Sequence, residues 1–325
     1  MEKSQEKFKN FKSSRLYEFF YNNRYVVLSF LCSAAVMIVV YLSYGIIPFG
    51  EHTVLRMDLY HQYGPLFAEL YDRLTGFDSL IYSWTTGGGG SFLGAFYNYL
   101  SSPLSIFILA FGHIGNPESI SFLILIKAAL ASAAFTYYLK KSDEFSKHNA
   151  TTAAFGVLYA FCGFFIAYYW NVMWLDAMYM LPLVVLGIER IINKGKPMLY
   201  SISLAITLFA NFYLGFMVCI FCLLYAVMYY FGKYSIKSKF VPLENGQKQN
   251  VISALKNSRL LTSVFKFIGS SFLAILLCAV SLLPVFYILQ FSSATSGNFP
   301  QEMSSYFKIF DFLANHLASL DPTIR

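Results

Sequence analysis

The sequence predicts an all-α, polytopic membrane protein with about seven transmembrane helices and a long first outer loop. Of its 325 residues, 57% are hydrophobic and only 13% are charged, whereas about a quarter are charged in soluble domains. Apolar runs of about 20 residues, the length of a membrane span, recur along the chain. Lysine and arginine fall in short clusters between these runs, which is the positive-inside pattern. The net charge of +7 therefore indicates membrane topology and not nucleic-acid binding.

The first 24 residues form a basic segment in which phenylalanines recur at roughly helical spacing. Such a segment is typical of an amphipathic helix on the cytoplasmic surface of a membrane. Residues 25–44 then form the first predicted span, which runs outward. No small-residue cleavage site ends this span, so we interpret it as uncleaved and not as a removed signal peptide.

Residues 45–119 form the predicted outer loop, which is acidic on balance. Within it, residues 65–74 have the spacing of a short amphipathic helix. Residues 92–111 are apolar but are interrupted by Asn98 and Pro103. If this stretch crossed the membrane, every later basic loop would face outward. The positive-inside rule therefore favours a re-entrant or interfacial segment at 92–111.

Five further runs complete the predicted transmembrane module, which extends over residues 25–290. The run from 199 to 231 has 33 residues and would be about 50 Å long as one helix, so it is predicted to be two spans around an outer turn at 211–215. The C-terminal segment 291–325 is predicted to lie outside. The spans after the outer loop are 120–139, 150–169, 178–192, two within 199–231, and 264–289.

Short polar and aromatic motifs along this module carry a family resemblance. In chain order they are Arg56-x-Asp58-x-x-x-Gln62-Tyr63, Trp84-x-x-Gly87-x-Gly89, Asn98-Tyr99-x-x-Ser102-Pro103, Asn171-x-x-Trp174-x-Asp176, Pro182, Glu189 and Asn211-Phe212-Tyr213. Their order and spacing resemble the bacterial YfhO-like membrane proteins, which are grouped with the GT-C glycosyltransferases. The resemblance covers about residues 25–290.

The resemblance implies a GT-C-like enzyme that depends on a polyprenyl-phosphate sugar donor. Such enzymes act at the outer face of the bacterial cell membrane and modify cell-envelope polymers such as lipoteichoic acid. The family carries an essential aspartate in the first outer loop, and Asp58 matches it. YfhO-like proteins are usually much longer, so we expect this chain to be a fragment or a reduced member.

Sugar transfer from a lipid phosphate requires a base, a positive partner for the leaving phosphate and a groove for the lipid. Asp58 is the candidate catalytic base, since a carboxylate near the acceptor hydroxyl suits general-base catalysis. Arg56 is the candidate phosphate ligand, because a guanidinium binds phosphate in a bidentate manner; the alternative is an anchor at the lipid headgroups. Gln62 and Tyr63 are further candidates for substrate binding.

Four residues outside the first loop are also assigned to substrate binding: Lys127, Trp174, Asp176 and Asn211. Lys127 lies inside a span, where it could meet the lipid phosphate, pair with a carboxylate such as Asp58, or snorkel to the interface. Asp176 could equally begin a helix, and Trp174 could belong to an interfacial aromatic belt. We interpret Glu189 as half of a local ion pair with the adjacent Arg190.

A metal site and two other functions are weighed against this hypothesis. His52, Asp58 and His61 could bind a divalent cation, but hard cations prefer oxygen ligands, so no metal ligand is assigned. A transporter or flippase for a lipid-linked precursor would tend to show inverted repeats and polar residues at the midplane. No repeat is evident, which favours chemistry at the surface. A non-catalytic membrane scaffold is the third hypothesis.

Overall fold

The computed structural model describes residues 15–86, 88–113, 115–234 and 258–291. Contacts divide the chain into two compact units, Met1–Val285 and Phe286–Arg325. Three stretches lie largely outside the described residues. They are the predicted basic segment 1–24, the stretch 232–263 between the last two predicted spans, which the sequence predicts to be a basic inner loop, and the predicted outer segment 291–325. The following description concerns the described part of the chain.

Helices form nearly all of the regular structure in these residues, as the sequence predicts. The exception is an antiparallel pair of two-residue strands, β1 (Tyr82–Ser83) and β2 (Gly90–Ser91). Two π-helical turns, Leu59–Tyr63 and Phe96–Leu100, and a 3-10 helix, Pro103–Ala110, lie in the first loop. The α-helices are α1 Arg15–Asn22, α2 Arg24–Ser43, α3 Gly64–Gly76, α4 Phe92–Ala95, α5 Asn116–Lys141, α6 Ala150–Ala160, α7 Gly163–Tyr168, α8 Trp174–Lys194, α9 Met198–Ala210, α10 Phe212–Tyr234, α11 Ser258–Leu277 and α12 Ala279–Leu289.

Five helical segments in the described residues are long and apolar enough to cross a membrane: α2, α5, α6 together with α7, α10 and α11. The count becomes six if the bent segment at 92–110 is one span. The prediction of about seven spans also used α8 and α9. Helix α9 has 13 residues and is about 20 Å long, which is short of the 30 Å hydrocarbon core. The exact number of seven therefore stays a prediction.

The apolar stretch at 92–110 is sharply bent. Phe92–Leu100 and Pro103–Ala110 meet at an angle of 99°. Proline at 103 cannot donate a backbone hydrogen bond, so the helix ends before it, and the Ser102 hydroxyl accepts a hydrogen bond from the Leu104 backbone as the next helix begins. A bend of this size is compatible with the predicted re-entrant segment and also with a broken span.

Helix α5 is the centre of the described bundle and packs against α2, α6 and α8. Its most apolar stretch is 67% buried, compared with 28% or less in the other four candidate spans. Small side chains allow this close packing. A Cβ on Gly156 of α6 would come within 2.7 Å of the Ser132 carbonyl oxygen of α5. The two backbones therefore approach more closely there than any side chain at 156 would permit.

The stretch 199–231, predicted to be two spans, is divided into the helices α9 and α10. Only α10 is long enough to be a candidate span, so the second span stays a prediction, and the interruption is shorter than the predicted turn at 211–215. Only Asn211 interrupts the helices, with extended backbone at φ −160°. Its side-chain oxygen accepts a hydrogen bond from the Leu214 backbone nitrogen at 2.8 Å. This bond satisfies a free donor at the start of α10, so α10 begins one residue after α9 ends.

The two ends of the bundle differ in their side chains. At one end, the first loop meets the segments that precede α8 and α10. At the other end lie basic residues and their partners. These contacts are Lys140 to Asn23 at 2.9 Å, Lys194 to Asp143 at 2.7 Å and Lys233 to Glu144 at 3.2 Å. The basic end lies at the far ends of α5, α8 and α10 from the first loop.

Candidate functional site

Asp58 lies on a largely exposed segment, residues 56–63, that is anchored by two buried side chains. We call residues 56–63 the Asp58 segment. Met57 adopts a left-handed backbone conformation (φ +47°), and Asp58 then begins the π-helical turn Leu59–Tyr63. Leu59 is fully buried and Tyr63 is 5% exposed, whereas Asp58 itself is exposed. The turn therefore presents the carboxylate to the outside of the protein on a fixed backbone.

Tyr63 connects the Asp58 segment to two other motifs. Its hydroxyl donates a hydrogen bond to Oδ1 of Asn171 at 3.1 Å, and its ring lies 5.0 Å from the ring of Tyr99. Burial, and then the neighbouring Asp58 carboxylate, raise the pKa of the Tyr63 phenol. Tyr63 therefore stays a neutral donor at physiological pH and holds the segment in place.

Arg56 lines an apolar groove of about 770 Å³ between α2, α5 and α7. Most of the apolar side chains come from the second half of α2 and from Phe161–Tyr169, whereas the polar residues His52, Thr53 and Arg56 lie on the segment that follows α2. The Arg56 guanidinium lies 6.0 Å from the centre of the Tyr169 ring. We call this site the apolar groove. Its lining is Val36, Met37, Val40, Tyr41, Tyr44, Ile46, His52, Thr53, Val54, Arg56, Ile124, Phe161, Phe165, Ile166 and Tyr169.

A second site, which we call the polar cleft, has a volume of about 800 Å³. It is lined by the end of the Asp58 segment, by α3, and by the turn between β1 and β2. Asp58 thus lies on the chain between Arg56 of the apolar groove and His61 of the polar cleft. The cleft is lined by His61, Gln62, Pro65, Leu66, Ala68, Glu69, Asp72, Arg73, Asp78, Trp84, Thr85, Thr86, Ala95 and Tyr99.

Glu69 is the carboxylate of the polar cleft with the most hydrogen bonds to other side chains. Arg73 donates two hydrogen bonds to its Oε1, from Nε at 3.0 Å and from Nη2 at 2.7 Å. The Thr86 hydroxyl donates to its Oε2 at 2.9 Å. Burial alone would raise the pKa of Glu69, but the hydrogen bonds from Ser83, Arg73 and Thr86 lower it below its ordinary value. Glu69 is therefore ionised at physiological pH and joins α3 to the strand pair.

Lys127 and Asp176 form a buried ion pair. Nζ of Lys127 lies 2.5 Å from Oδ2 of Asp176, and both side chains are at most 1% exposed. The same Nζ donates to the Val172 carbonyl at 3.0 Å. Oδ1 of Asp176 accepts hydrogen bonds from Ser102 at 2.7 Å and from Tyr179 at 2.8 Å.

The polar atoms of Lys127 and Asp176 are thus bonded to other groups of the protein. Lys127 does pair with a carboxylate, but its partner is Asp176 and not Asp58. The pair joins α5 to the start of α8, and Ser102 adds the bent segment at 92–110. Lys127 and Asp176, which were assigned to substrate binding, thus hold together α5, the start of α8 and the bent segment.

Trp174 and Asn211 also contact protein groups. The Trp174 ring lies 5.4 Å from Tyr168 and 6.4 Å from Tyr213. Asn211 is 2% exposed, and its amide nitrogen donates to the Asn98 carbonyl at 2.9 Å. Asn211 therefore ties the start of α10 to the bent segment.

The described residues contain no group of three or more His, Cys, Asp and Glu side chains that could hold a metal ion. The three possible ligands found in the sequence are separated. His52 lines the apolar groove and His61 lines the polar cleft, while Asp58 lies on the segment between them.

Glu69, Arg73 and Ser102 are the residues that sequence reasoning missed. Glu69 and Arg73 are four residues apart on an amphipathic helix, where opposite charges commonly pair, so the sequence held a signal for them. Ser102 stands in one of the motifs of the family resemblance, but its bond to Asp176 spans 74 residues, so nothing in the sequence indicated that partner.

Comparisons with known proteins agree with the resemblance seen in the motifs. The family model described as "Bacterial membrane protein YfhO" matches residues 29–323. An "Uncharacterized protein YfhO" of Bacillus subtilis (strain 168) is 30% identical over 177 residues, which cover 49% of this chain and 20% of the relative. The match therefore spans about a fifth of that relative's length. No solved structure matches the chain significantly.

Proposed function

The chain belongs to the YfhO family of bacterial membrane proteins, and from this membership we propose that it is a glycosyltransferase. It moves a sugar from a polyprenyl-phosphate donor to a cell-envelope acceptor, such as lipoteichoic acid, at the outer face of the cell membrane. The observation that carries this proposal is the position of Asp58. It is an exposed carboxylate on a segment that lines the apolar groove at one end and the polar cleft at the other.

The apolar groove suits the donor. Its side chains on α2 and α7 are those that a polyprenyl chain would contact, and burial of apolar area favours binding by about 25 cal/mol per Å². Arg56 and His52 come from the segment that follows α2, and in the proposed orientation they would meet the lipid phosphate. An arginine there would bind the phosphate through charge-assisted hydrogen bonds. The groove thus has apolar side chains for the polyprenyl chain of the donor and an arginine for its phosphate.

The reaction follows from this placement. The acceptor oxygen attacks the anomeric carbon of the sugar, and the bond from that carbon to the phosphate oxygen breaks. The bonding electron pair leaves with the phosphate, whose charge Arg56 stabilises. The proton of the acceptor hydroxyl passes to the Asp58 carboxylate, which acts as general base. Donor and acceptor therefore meet at Asp58 from opposite sides of the segment.

The orientation of the protein is part of the proposal. The N-terminus is cytoplasmic, and the Asp58 segment is extracellular. The basic contacts at the far ends of α5, α8 and α10 support this orientation, since cytoplasmic loops are enriched in lysine and arginine. The distribution of charge between the ends of the bundle thus agrees with outer-face chemistry.

A transfer assay tests the proposal directly. The purified chain in lipid vesicles is given a radiolabelled polyprenyl-phosphate hexose and lipoteichoic acid. We expect transfer by the wild type and a loss of about 10²- to 10⁴-fold in Asp58→Asn. Glu51→Gln, which removes an exposed carboxylate from the same loop, is the matched control and retains activity. Wild-type rates in Asp58→Asn would refute its role as the base.

The same vesicles separate the competing functions. A lipid transporter would move the labelled donor between the leaflets without forming labelled polymer. A scaffold would bind neither donor nor acceptor in a way that depends on Arg56. Transfer that is lost in Arg56→Ala together with donor binding would support the enzyme over both alternatives.

A further inference from the structure

The basic end of the bundle contains two kinds of cation. Lys194 and Lys233 each pair with a carboxylate of the loop after α5, at 2.7 Å and 3.2 Å. A second group, where the junction of α1 and α2 meets the end of α5, has no ion pair with a carboxylate in the part of the chain that the structure describes. We call this group the α2–α5 basic cluster, and its members are Arg24, Lys140 and Lys141.

The α2–α5 basic cluster is held in place by contacts that do not neutralise its charge. Nζ of Lys140 donates to Oδ1 of Asn23 at 2.9 Å and to the carbonyl of the preceding residue. The Arg24 guanidinium lies 4.7 Å and 4.8 Å from the ring centres of Tyr21 and Tyr25, where cation–π attraction orients it. All of these partners are neutral. The cations are therefore positioned but not balanced, which favours an anion beside them.

The neighbouring His148 shows how concentrated this charge is. Its ring packs edge-to-face against Tyr25, with 4.9 Å between the ring centres. Burial, and then the charges of Lys140 and Arg24, lower the pKa of His148, and Lys141 adds to the effect. The ring is therefore neutral at physiological pH and adds no charge of its own. A position that disfavours a further cation is one that attracts an anion.

The cluster lies where two candidate spans end. Arg24 is the first residue of α2 and Lys141 is the last residue of α5, and both helices are long and apolar enough to cross a membrane. The preceding helix α1 carries aromatic side chains that are 60%, 50% and 55% exposed, those of Phe19, Phe20 and Tyr21. Exposed aromatic rings beside basic residues are typical of segments at the membrane–water interface. The anion available to the cluster there is a lipid headgroup.

We propose that the α2–α5 basic cluster binds the phosphodiester headgroup of an anionic membrane lipid. The guanidinium of Arg24 and the ammonium groups of Lys140 and Lys141 donate charge-assisted hydrogen bonds to the phosphate oxygens. Basic pockets beside membrane helices bind acidic lipids in this way. The site is separate from the proposed transferase chemistry and does not depend on it. In the proposed orientation the cluster faces the cytoplasmic leaflet, at the opposite end of the bundle from Asp58.

Lipid binding to the full chain tests the proposal without requiring transfer. The purified protein in detergent is titrated with phosphatidylglycerol or with phosphatidylcholine, and bound lipid is counted by native mass spectrometry. Both lipids carry a phosphate, but only phosphatidylglycerol has a net negative charge. We expect phosphatidylglycerol to bind at least about tenfold more tightly, a ratio that corresponds to about 1.4 kcal/mol. Equal affinity for the two lipids would overturn the proposal.

Inorganic phosphate distinguishes a lipid site from a site for free phosphate. An excess of inorganic phosphate is added to the complex with phosphatidylglycerol, and sodium chloride at the same ionic strength serves as the control. The lipid is expected to stay bound, because inorganic phosphate lacks the acyl chains that hold a headgroup at the membrane surface. Displacement by phosphate but not by chloride would overturn the assignment to a lipid.

Variants that remove one charge locate the bound lipid. Arg24→Gln and Lys140→Gln are each expected to weaken phosphatidylglycerol binding about fivefold, since one cation near a membrane surface contributes about 1 kcal/mol. Lys194→Gln is the matched control, because Asp143 already balances that charge, and it is expected to bind the lipid like the wild type. Equal losses in Lys140→Gln and Lys194→Gln would show a general attraction to the basic end and would overturn the defined site.

Arg24→Lys separates a defined site from diffuse attraction. It keeps the positive charge but removes the planar guanidinium, which binds a phosphate through two parallel hydrogen bonds. We expect phosphatidylglycerol binding to weaken about threefold. Wild-type affinity in Arg24→Lys would overturn the defined site. Each variant is first shown to melt at the wild-type temperature in phosphatidylcholine nanodiscs, and Lys141→Gln, at an exposed position, takes the place of Lys140→Gln if that variant does not.

Discussion

Helix α8 carries two buried carboxylates, and the protein stabilises them in different ways. Asp176, near the start of the helix, is fully buried and pairs with Lys127. Glu189, near its end, is 2% exposed and accepts hydrogen bonds from hydroxyl groups. The donors are Tyr138 at 2.9 Å, Tyr225 at 3.0 Å and Ser142 at 2.7 Å. One carboxylate is balanced by a buried charge, and the other is surrounded by neutral donors.

The two carboxylates differ in which groups become unpaired when a substitution removes the negative charge. Removal of Asp176 leaves the ammonium of Lys127 buried without a counter-charge, which is costly. Removal of the Glu189 charge leaves only hydroxyl groups, which can reorient and bond to one another. The two regions should therefore respond very differently to the same chemical change.

The largest effect is expected for Asp176→Asn. The amide keeps the shape of the side chain but removes its charge, so Lys127 becomes an unpaired buried cation. We expect a loss of about 3–5 kcal/mol in the free energy of unfolding, measured in mixed detergent micelles. The double variant Lys127→Met, Asp176→Leu removes both charges and should recover most of this loss. A double variant as unstable as the single one would contradict the account.

A smaller effect is expected for Glu189→Gln, which makes the same change at the other end of α8. It creates no unpaired charge and replaces charge-assisted hydrogen bonds by neutral ones. The expected loss is about 1.5–3 kcal/mol in the same unfolding measurement. If Glu189→Gln and Asp176→Asn were equally destabilising, the distinction between the two regions would not hold.

Tyr225→Phe should have a smaller effect again. It removes one of the three hydroxyl donors to Glu189 and keeps the ring, which stacks on Phe221 and Tyr229. The expected loss is about 1 kcal/mol, because two donors remain. Tyr213→Phe, which removes an exposed hydroxyl from the same helix, is the matched control and should be neutral. A loss as large as that of Glu189→Gln would show that Tyr225 alone carries the stabilisation.

The smallest effect concerns Glu69, which combines both kinds of partner, an arginine and a hydroxyl. Its folded-state pKa is lowered below its ordinary value of 4.5. The stabilisation is therefore fully present above the unfolded-state pKa and is lost as the pH falls through the folded-state pKa. We expect the fluorescence of Trp84, on the adjoining turn, to change below pH 4.5 by an amount equivalent to less than about 1 kcal/mol. The same titration of Glu69→Gln should be flat.

Much of the helical framework could be predicted because its signals are local. Residues 25–44 were predicted as the first span, and α2 extends over Arg24–Ser43. The amphipathic pattern at 65–74 corresponds to α3, Gly64–Gly76. The predicted span 264–289 is divided at Cys278 into α11 and α12. Hydropathy continues through that break, so it contained no warning of it.

The pairing of buried charges could not be predicted in the same way. Glu189 was interpreted as the partner of Arg190, its neighbour in the chain, and this was wrong. Consecutive residues on a helix point in directions about 100° apart. Glu189 therefore faces the interior, where it meets α5 and α10, and the guanidinium of Arg190 is not among its partners. Which hydroxyl groups surround it depends on helices far away in the sequence.

The sequence by itself determined the membrane class, the family and the outer loop that carries Asp58, because composition, hydropathy and the order of short motifs along the chain do not depend on how the helices pack. Tertiary structure alone decided that Lys127 meets Asp176, 49 residues away, and that Glu69 meets Thr86 across the polar cleft. The physical reason is that a buried polar group must find a partner within about 3 Å. Only the packing of the helices determines which distant side chain comes that close.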